Sequence, residues 1–196
     1  DNEASCFYVQ QPNYLGNIED LVALGEVVHK VKAKYIVGAN PIALAVLQTP
    51  AQAGADIVVG EAQPLGLPLG FGGPYLGFMA TTDKMMRKLP GSLVGQTVDV
   101  DGKRAFVHTL QAREQHIRRE KASSNICSNQ QWCALVASIY LATMGAKGLV
   151  EVAEQSVAKA HYLAEELSKA GLTLKYQQPY FHEFVTVSAK NTQDIM

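Results

Sequence analysis

Apolar residues in this chain alternate between short unbroken runs and stripes spaced by three and four. Residues 6–12 (CFYVQQP), 34–39 (KYIVGA) and 54–62 (GADIVVGEA) are rich in β-branched or aromatic side chains, as strands buried on both faces are. Between the first two runs, Asn17 stands as an N-cap with Asp20 at the third helical position. Leu21, Leu24, Val28 and Val31 then recur on one helical stripe. After Pro41, IALAVLQTP suits a short helix. Strands alternating with helical segments predict a parallel sheet with crossover helices, an α/β domain.

The pattern continues with LGFMAT as a strand and TDKMMRKL as a short helix stopped by Pro90. TVDVDGKRAFVHTL carries Asp101-Gly102 between two β-prone arms, which predicts a hairpin closed by a two-residue primed turn. Ser128 is placed to cap a helix striped by Trp132, Leu135, Val136, Ile139 and Tyr140 and closed by Gly145. A second helix, from Leu149 to about Lys169, is striped by Val152, Val157, Ala160, Leu163 and Leu167, with Gly171 beyond its end. TLKYQ and EFVTVSA read as strands of a different unit. The expected division is therefore 1–145 for part of an α/β large domain, and 146–196 for a linking helix and the start of a smaller α+β domain. The chain opens on a core strand and stops before a helix, so it reads as a piece of a longer protein.

Composition narrows the function classes. The net charge of −1 and a pI of 6.6 give no basic face for nucleic acid. No apolar run nears the roughly 18–20 residues of a membrane span, and the acidic start is unlike a secretory signal. A cytoplasmic protein is expected. Cys6, Cys127 and Cys133 contain no Cys-x-x-Cys pair, which supports neither a disulfide framework nor a zinc site; Cys127 and Cys133 read as buried structural thiols.

GEAQPLGLPLGFGGPYLGFMA, residues 60–80, holds no lysine, histidine or cysteine. Its Gly70-Phe71-Gly72-Gly73 begins like a dinucleotide fingerprint but leads into a strand where that fingerprint needs a helix, and no P-loop lysine follows. A strand, a glycine-rich stretch and a returning strand also form the surroundings of the Schiff-base lysine in one class of pyridoxal-phosphate enzymes. No lysine lies between Lys34 and Lys84, and Gln63 falls where the amine would be. An amide nitrogen cannot form an imine.

REQHIRREK, residues 113–121, crowds Arg113, Arg118, Arg119 and Lys121 around His116. Arginine forks match oxyanions. On pattern alone the segment reads first as a solvated helix face, with Glu114 and Arg118 four apart in the favourable order. His116 has no metal-ligating neighbour at suitable spacing, and Lys121 lacks the glycine-rich return of an imine-forming lysine.

GEAQPLGLPLGFGGPYLGFMAT, VGQTVDVDGKRAF and LQAREQHIRREKASSNICSNQ together resemble the glycine cleavage system P-protein, above all the separate subunit 1 of its two-polypeptide form. The resemblance runs from about Phe7 to the end. It implies the aspartate-aminotransferase-like fold (fold type I of pyridoxal-phosphate enzymes), with this chain covering an incomplete large domain. It further implies decarboxylation of glycine, with the aminomethyl group passed to the lipoyl arm of the H-protein. Pyridoxal phosphate is expected on the lysine-bearing partner, subunit 2, and none on this chain. No catalytic residue is expected here, while Gln63, Gly72, Gly73, Arg113, His116, Arg118 and Arg119 are the candidate pocket or interface residues. The alternative is a structural or interaction module that lines no site. Two positions depart from the family pattern: Ser92 where an arginine is expected, and Trp132 where a smaller residue is.

Overall fold

The computed structural model describes residues 3–122, 124–126, 130–189, 191 and 193. Ser128 and Cys127, singled out as helix cap and buried thiol, lie outside the described residues. Two compact units emerge, residues 1–80 with 133–196, and residues 81–132.

In the first unit, strands β1 (Cys6–Gln11), β2 (Lys34–Ala39), β3 (Ile57–Glu61) and β4 (Gly77–Thr81) form one sheet in that order. β1 pairs with β2 in parallel from Cys6–Lys34 to Gln11–Ala39, and β2 with β3 in parallel from Ile36–Ile57 to Gly38–Val59. The run in β2 is the one buried most completely, with Tyr35 and Val37 at zero exposure. Helix α1 (Leu21–Lys30) is the crossover between β1 and β2.

The α1 stripe is as the spacing predicts, but its cap is not. Asp20, rather than Asn17, is the N-cap, and its carboxylate accepts from the Ala23 amide at 3.0 Å. Asn17 instead bridges Tyr180 in the backbone. Two acceptable cap residues stood three apart, and tertiary pairing of the earlier one left the later one to start the helix. Leu21 and Val28 bury with Ala33, Tyr35, Val37, Ala53 and Ala55, and Leu24 and Val31 pack at the margin. The segment after Pro41 forms only a 3-10 turn over Ala43–Ala45.

Asp56, at the entry to β3, ties this core to its neighbours. Its carboxylate accepts from Lys34 Nζ at 2.7 Å, the Tyr35 amide at 3.0 Å and, at 3.2 Å, His29 Nε2. Burial alone would raise its pKa; the hydrogen bonds from Lys34, the Tyr35 amide and His29, with the Lys34 charge, outweigh burial and hold it below the ordinary 3.8. Burial, and then the nearby Asp20 charge, push the Tyr35 phenol up to about 12; its hydroxyl donates to the Leu21 carbonyl at 3.0 Å.

A second core joins Ile42, Ala43, Ala62 and Leu65 to Ala137, Ala153 and Phe181. Its helix, α3 (Gln131–Lys169), runs through a break at Gly145, where φ 60° and ψ −176° are not helical. The two predicted helices thus meet at the glycine expected to end the first one. Small residues face inward: Cys133, Ala137, Ala153, Ala160 and Ala164 are buried. The stripe residues Trp132, Leu135, Val136 and Ile139 are exposed, Trp132 by 79%, whereas Tyr140 of the same stripe, and Val152 and Val157 of the second, pack against the core as expected. By length and hydropathy this helix also passes as a membrane span, which corrects the expectation that no stretch of the chain would. Length and apolar composition alone are weak grounds for a span, since core helices satisfy them too. Beyond α3, β7 (Thr173–Leu174) pairs antiparallel with β8 (Thr186–Val187).

The second unit is built on the hairpin of β5 (Leu93–Val98) and β6 (Arg104–Thr109), paired antiparallel from Leu93–Thr109 to Val98–Arg104. Its turn is not the primed one. Only Gly102 has a positive φ, at 76°, and the Gly102 amide bonds back to the Asp99 carbonyl at 3.0 Å. The Asp99 carboxylate accepts from the amides of Asp101 and Lys103, both at 2.9 Å. A longer loop with glycine at its left-handed position replaces the two-residue turn, because Asp99 supplies side-chain acceptors that a primed turn does not need.

Replacing Asp56 by asparagine is expected to lower stability by about 1–3 kcal/mol near neutral pH, as charge-assisted hydrogen bonds are lost. Because the folded carboxyl has a depressed pKa, its contribution is present above the unfolded value and is lost as pH falls through the folded one. Urea unfolding at pH 7 and at pH 3 checks both points: the gap between wild type and Asp56→Asn should narrow at pH 3, and equal midpoints at pH 7 would contradict the role assigned to Asp56.

Candidate functional site

The glycine-rich segment leaves the sheet at the end of β3 and returns at β4. Glu61 closes its neck. One oxygen, Oε1, accepts from the Gln63 amide at 3.0 Å and from the Leu76 amide at 2.7 Å, and the Ala62 amide donates to the Leu76 carbonyl at 2.7 Å. The loop is thereby cinched at its base by a carboxylate and a backbone bond, while Leu69 and Phe71 at its far end stand exposed.

Gln63 sits one residue inside this neck. Its Nε2 donates to the Leu67 carbonyl at 2.6 Å, and the Leu67 amide donates to the Gln63 carbonyl at 3.1 Å. The side chain is therefore engaged in shaping the first turn of the loop. At Gly66, with φ 89°, an added Cβ would come within 3.1 Å of the Tyr140 side chain, so glycine is what lets α3 approach. Gly72 and Gly73 have φ values of 127° and 100°. Nothing crowds a Cβ at Gly72; the requirement there is the left-handed backbone itself. Cys133 Sγ approaches the Pro74 carbonyl at 3.8 Å.

A separate cleft of about 560 Å³ in the same unit lies where β1 and β2 end, lined by Gln10, Asn13, Tyr14, Asn40, His182 and Glu183 among others. Ligands of open α/β sheets gather beyond the carboxyl ends of the strands. Next to the lining residues Gln10 and Pro12, the buried Gln11 side chain accepts from the Glu19 amide at 2.8 Å and donates to the Glu19 carbonyl at 3.2 Å. Gly16 lies so close to the Glu183 backbone that no side chain fits between them. Nothing in the hydrophobic pattern marked this cleft; the Gln-Gln-Pro-Asn that ends β1 was its one visible signal.

The basic residues belong to the other unit. They do not share one helical face, since the segment folds as a 3-10 turn (Gln111–Arg113), the four-residue helix α2 (Gln115–Arg118) and a further 3-10 turn (Arg119–Lys121). Arg119 interrupts it with φ 52°. Arg113 Nη2 donates to the Gly91 carbonyl at 2.5 Å, and Arg118 Nε to the Ala112 carbonyl at 2.9 Å. The expected Glu114–Arg118 ion pair is replaced by contacts of Glu114 Oε2 with His116 Nδ1 at 3.6 Å and Ser92 Oγ at 3.3 Å. Ser92 is thus a neutral donor to a largely buried carboxylate. Arg113 and Arg118 come together around a small cavity with Arg87 and Lys121, while His116 and Arg119 do not line it. Arg87 was missed because its stretch, KMMRKL, reads only as a short helix. Among the described residues, no His, Cys, Asp and Glu cluster could hold a metal ion.

Glu61→Ala should free the Gln63 and Leu76 amides and cost about 1–2 kcal/mol. Hydrogen exchange at those two amides is expected to rise by about tenfold or more while the Tyr35 amide stays protected; unchanged exchange at Gln63 and Leu76 would refute the closure of the neck by this carboxylate.

Comparison with known proteins places these features. The family model described as "Glycine cleavage system P-protein" matches residues 1–195. The chain is 53% identical over 195 residues to a probable glycine dehydrogenase (decarboxylating) subunit 1 of Shouchella clausii, and 50% identical to the protein of the same description from Bacillus cytotoxicus. It spans all of its own length in both, but only 44% of theirs. A crystal structure of glycine decarboxylase (P-protein) of the glycine cleavage system, in inhibitor-bound form, superposes with a TM-score of 0.94 at 47% identity, over 99% of this chain and 45% of that one. A cysteine desulfurase from Thermococcus onnurineus shares the fold at a TM-score of 0.57 and 18% identity, over 99% of this chain and 47% of that one. The neighbours are fold type I pyridoxal-phosphate enzymes, and the parallel sheet is that of the aspartate-aminotransferase-like fold. By its sequence over residues 1–195 and by its fold, the chain belongs to the glycine cleavage system P-protein family.

Proposed function

We propose that this chain is part of subunit 1 of a two-polypeptide glycine dehydrogenase (decarboxylating), in which it completes the enzyme without carrying the imine-forming lysine. The observation that carries the reading is Gln63. It stands at the exit of β3, inside the neck closed by Glu61, with its amide nitrogen committed to the Leu67 carbonyl. An amide lone pair is delocalised into its carbonyl, so this side chain can donate a hydrogen bond but cannot attack an aldehyde. The residues at this loop do not fit covalent attachment of pyridoxal phosphate, and the cofactor is assigned to a lysine-bearing partner.

On this reading the assembled enzyme decarboxylates glycine, and the aminomethyl group passes to the lipoyl arm of a carrier H-protein. Pyridoxal phosphate supplies the electron sink for that reaction. This chain contributes shape. Gly72 and Gly73 let the loop turn where a side chain would be strained, and Arg113, His116, Arg118 and Arg119 offer cationic and hydrogen-bonding groups toward the partner or the approach to the active site. The division into part of a large domain through residue 145 and a linking helix with the start of a small domain from 146 belongs to the same reading, as does a cytoplasmic setting.

Glycine–carbon dioxide exchange, measured with the lysine-bearing partner and H-protein in the presence and absence of the subunit that carries this chain, tests the proposal. Exchange is expected only when both polypeptides co-purify as one assembly. Undiminished exchange by the partner alone would contradict it, and co-purification without any effect on exchange would favour a purely structural module.

A further inference from the structure

The unit of residues 81–132 carries an open surface pocket of about 250 Å³ lined by Arg87, Leu110, Ala112, Arg113, Arg118 and Lys121. Four of the six lining residues are cations and none is a carboxylate. Like charges gathered within a Debye length oppose one another, and among the described residues none of the four is in an ion pair. No ion pair offsets them, although the neighbouring Glu114 keeps one carboxylate oxygen, Oε1, buried and without a hydrogen-bond partner.

Two of the guanidinium groups are also held still. Arg113 is anchored through Nη2 on the Gly91 carbonyl, and Arg118 through Nε on the Ala112 carbonyl. Each anchor engages one nitrogen and leaves other N–H donors available, since a guanidinium carries five. Arg113 Nε is itself buried and has no hydrogen-bond partner. Buried donors are almost always satisfied, and a charged one left orphaned points to a missing acceptor. Leu110, at φ 53°, turns the chain out of β6 so that residues 112 and 113 reach the cavity wall; a bulky residue in that conformation is uncommon.

The chemistry of the occupant follows from charge and size. The volume is below the roughly 300–1,000 Å³ of pockets that take drug-sized ligands, so the ligand or its bound part is small. A carboxylate would offset one of four charges; a phosphoryl dianion offsets two and presents three oxygens to several forks at once. We propose that this cavity is a binding site for a phosphoryl oxyanion, either inorganic phosphate or the terminal group of a phosphate ester, held by Arg87, Arg113, Arg118 and Lys121. The site differs from the cation grouping visible in the sequence: it draws in Arg87 from the segment before the hairpin and leaves out His116 and Arg119. It goes beyond the glycine dehydrogenase reading and is tested separately from it, because binding is read on the polypeptide itself and not on turnover.

The experiment is isothermal titration of the full polypeptide at low ionic strength with inorganic phosphate, with acetate as the carboxylate control, and with pyridoxine 5′-phosphate beside pyridoxine. Saturable phosphate binding at one site is expected, with acetate weaker by about tenfold or more. Arg118→Gln and Lys121→Gln, both at exposed positions, should each weaken phosphate by about tenfold, the range of a lost charge-assisted hydrogen bond, with unchanged thermal midpoints. Tighter binding of the ester than of phosphate, with pyridoxine alone inert, identifies an ester as the ligand; equal affinities identify free phosphate. No saturable phosphate binding, acetate bound as tightly as phosphate, or full affinity in the double variant would overturn the proposal.

Discussion

A single carboxylate oxygen decides the geometry of the glycine-rich loop. Glu61 Oε1 gathers the amides at the loop's two ends, and an ionised acceptor makes each of those bonds stronger than a neutral one would. Without it, the neck would rest on the Ala62–Leu76 bond and the pairing of β3 with β4, and the turn in which Gln63 meets Leu67 would lose a fixed point at its base. With it, the loop can stand out into solvent at Phe71 and still present residue 63 in one place. Ala62 and Leu65 bury just inside the neck against the core that contains Ala137, Ala153 and Phe181, so α3 indirectly braces the same residues.

On the proposed reading, that constraint lets the chain keep the form of a cofactor-site loop with glutamine in place of the imine-forming lysine. The positive φ values at Gly66, Gly72 and Gly73 set a path for the backbone that does not depend on what residue 63 carries. A glutamine there satisfies itself locally, whereas a lysine would have to find a partner or an aldehyde. Shape and covalent chemistry are thus separable in this fold, and a subunit can supply the first while its companion supplies the second.

Much of the fold was legible because burial on two faces and a helical stripe leave different periodicities. β1 and β2 follow those runs to within a residue, and β3 and α1 start three residues later than the runs suggest. What stayed hidden depended on contacts remote in sequence. Asn17 lost the cap of α1 to Asp20 because its backbone pairs with Tyr180. The hairpin turn was decided by Asp99, outside the Asp-Gly pair that drew attention. In α3 Trp132, Leu135, Val136 and Ile139 of the first stripe face outward while Ala137 and Ala153 reach the core, with Tyr140 packed beside them; at Gly66 it is the loop's glycine, not a small helix residue, that makes room for Tyr140. The basic segment was read as a helix face, and the positive φ of Arg119 breaks that face. Gln63 was found by a missing residue type and not by periodicity, while the cavity that joins Arg87 to Arg113, Arg118 and Lys121 exists only once the chain is folded.

The account stands most directly on where an imine can form. Borohydride reduction of the assembled two-polypeptide enzyme in the presence of pyridoxal phosphate, followed by peptide mapping, reads this without reference to rate. A stoichiometric pyridoxyl mark on the companion polypeptide, with the peptides of residues 1–196 unmodified, is the expected result. A stoichiometric mark on any lysine of this chain would contradict it.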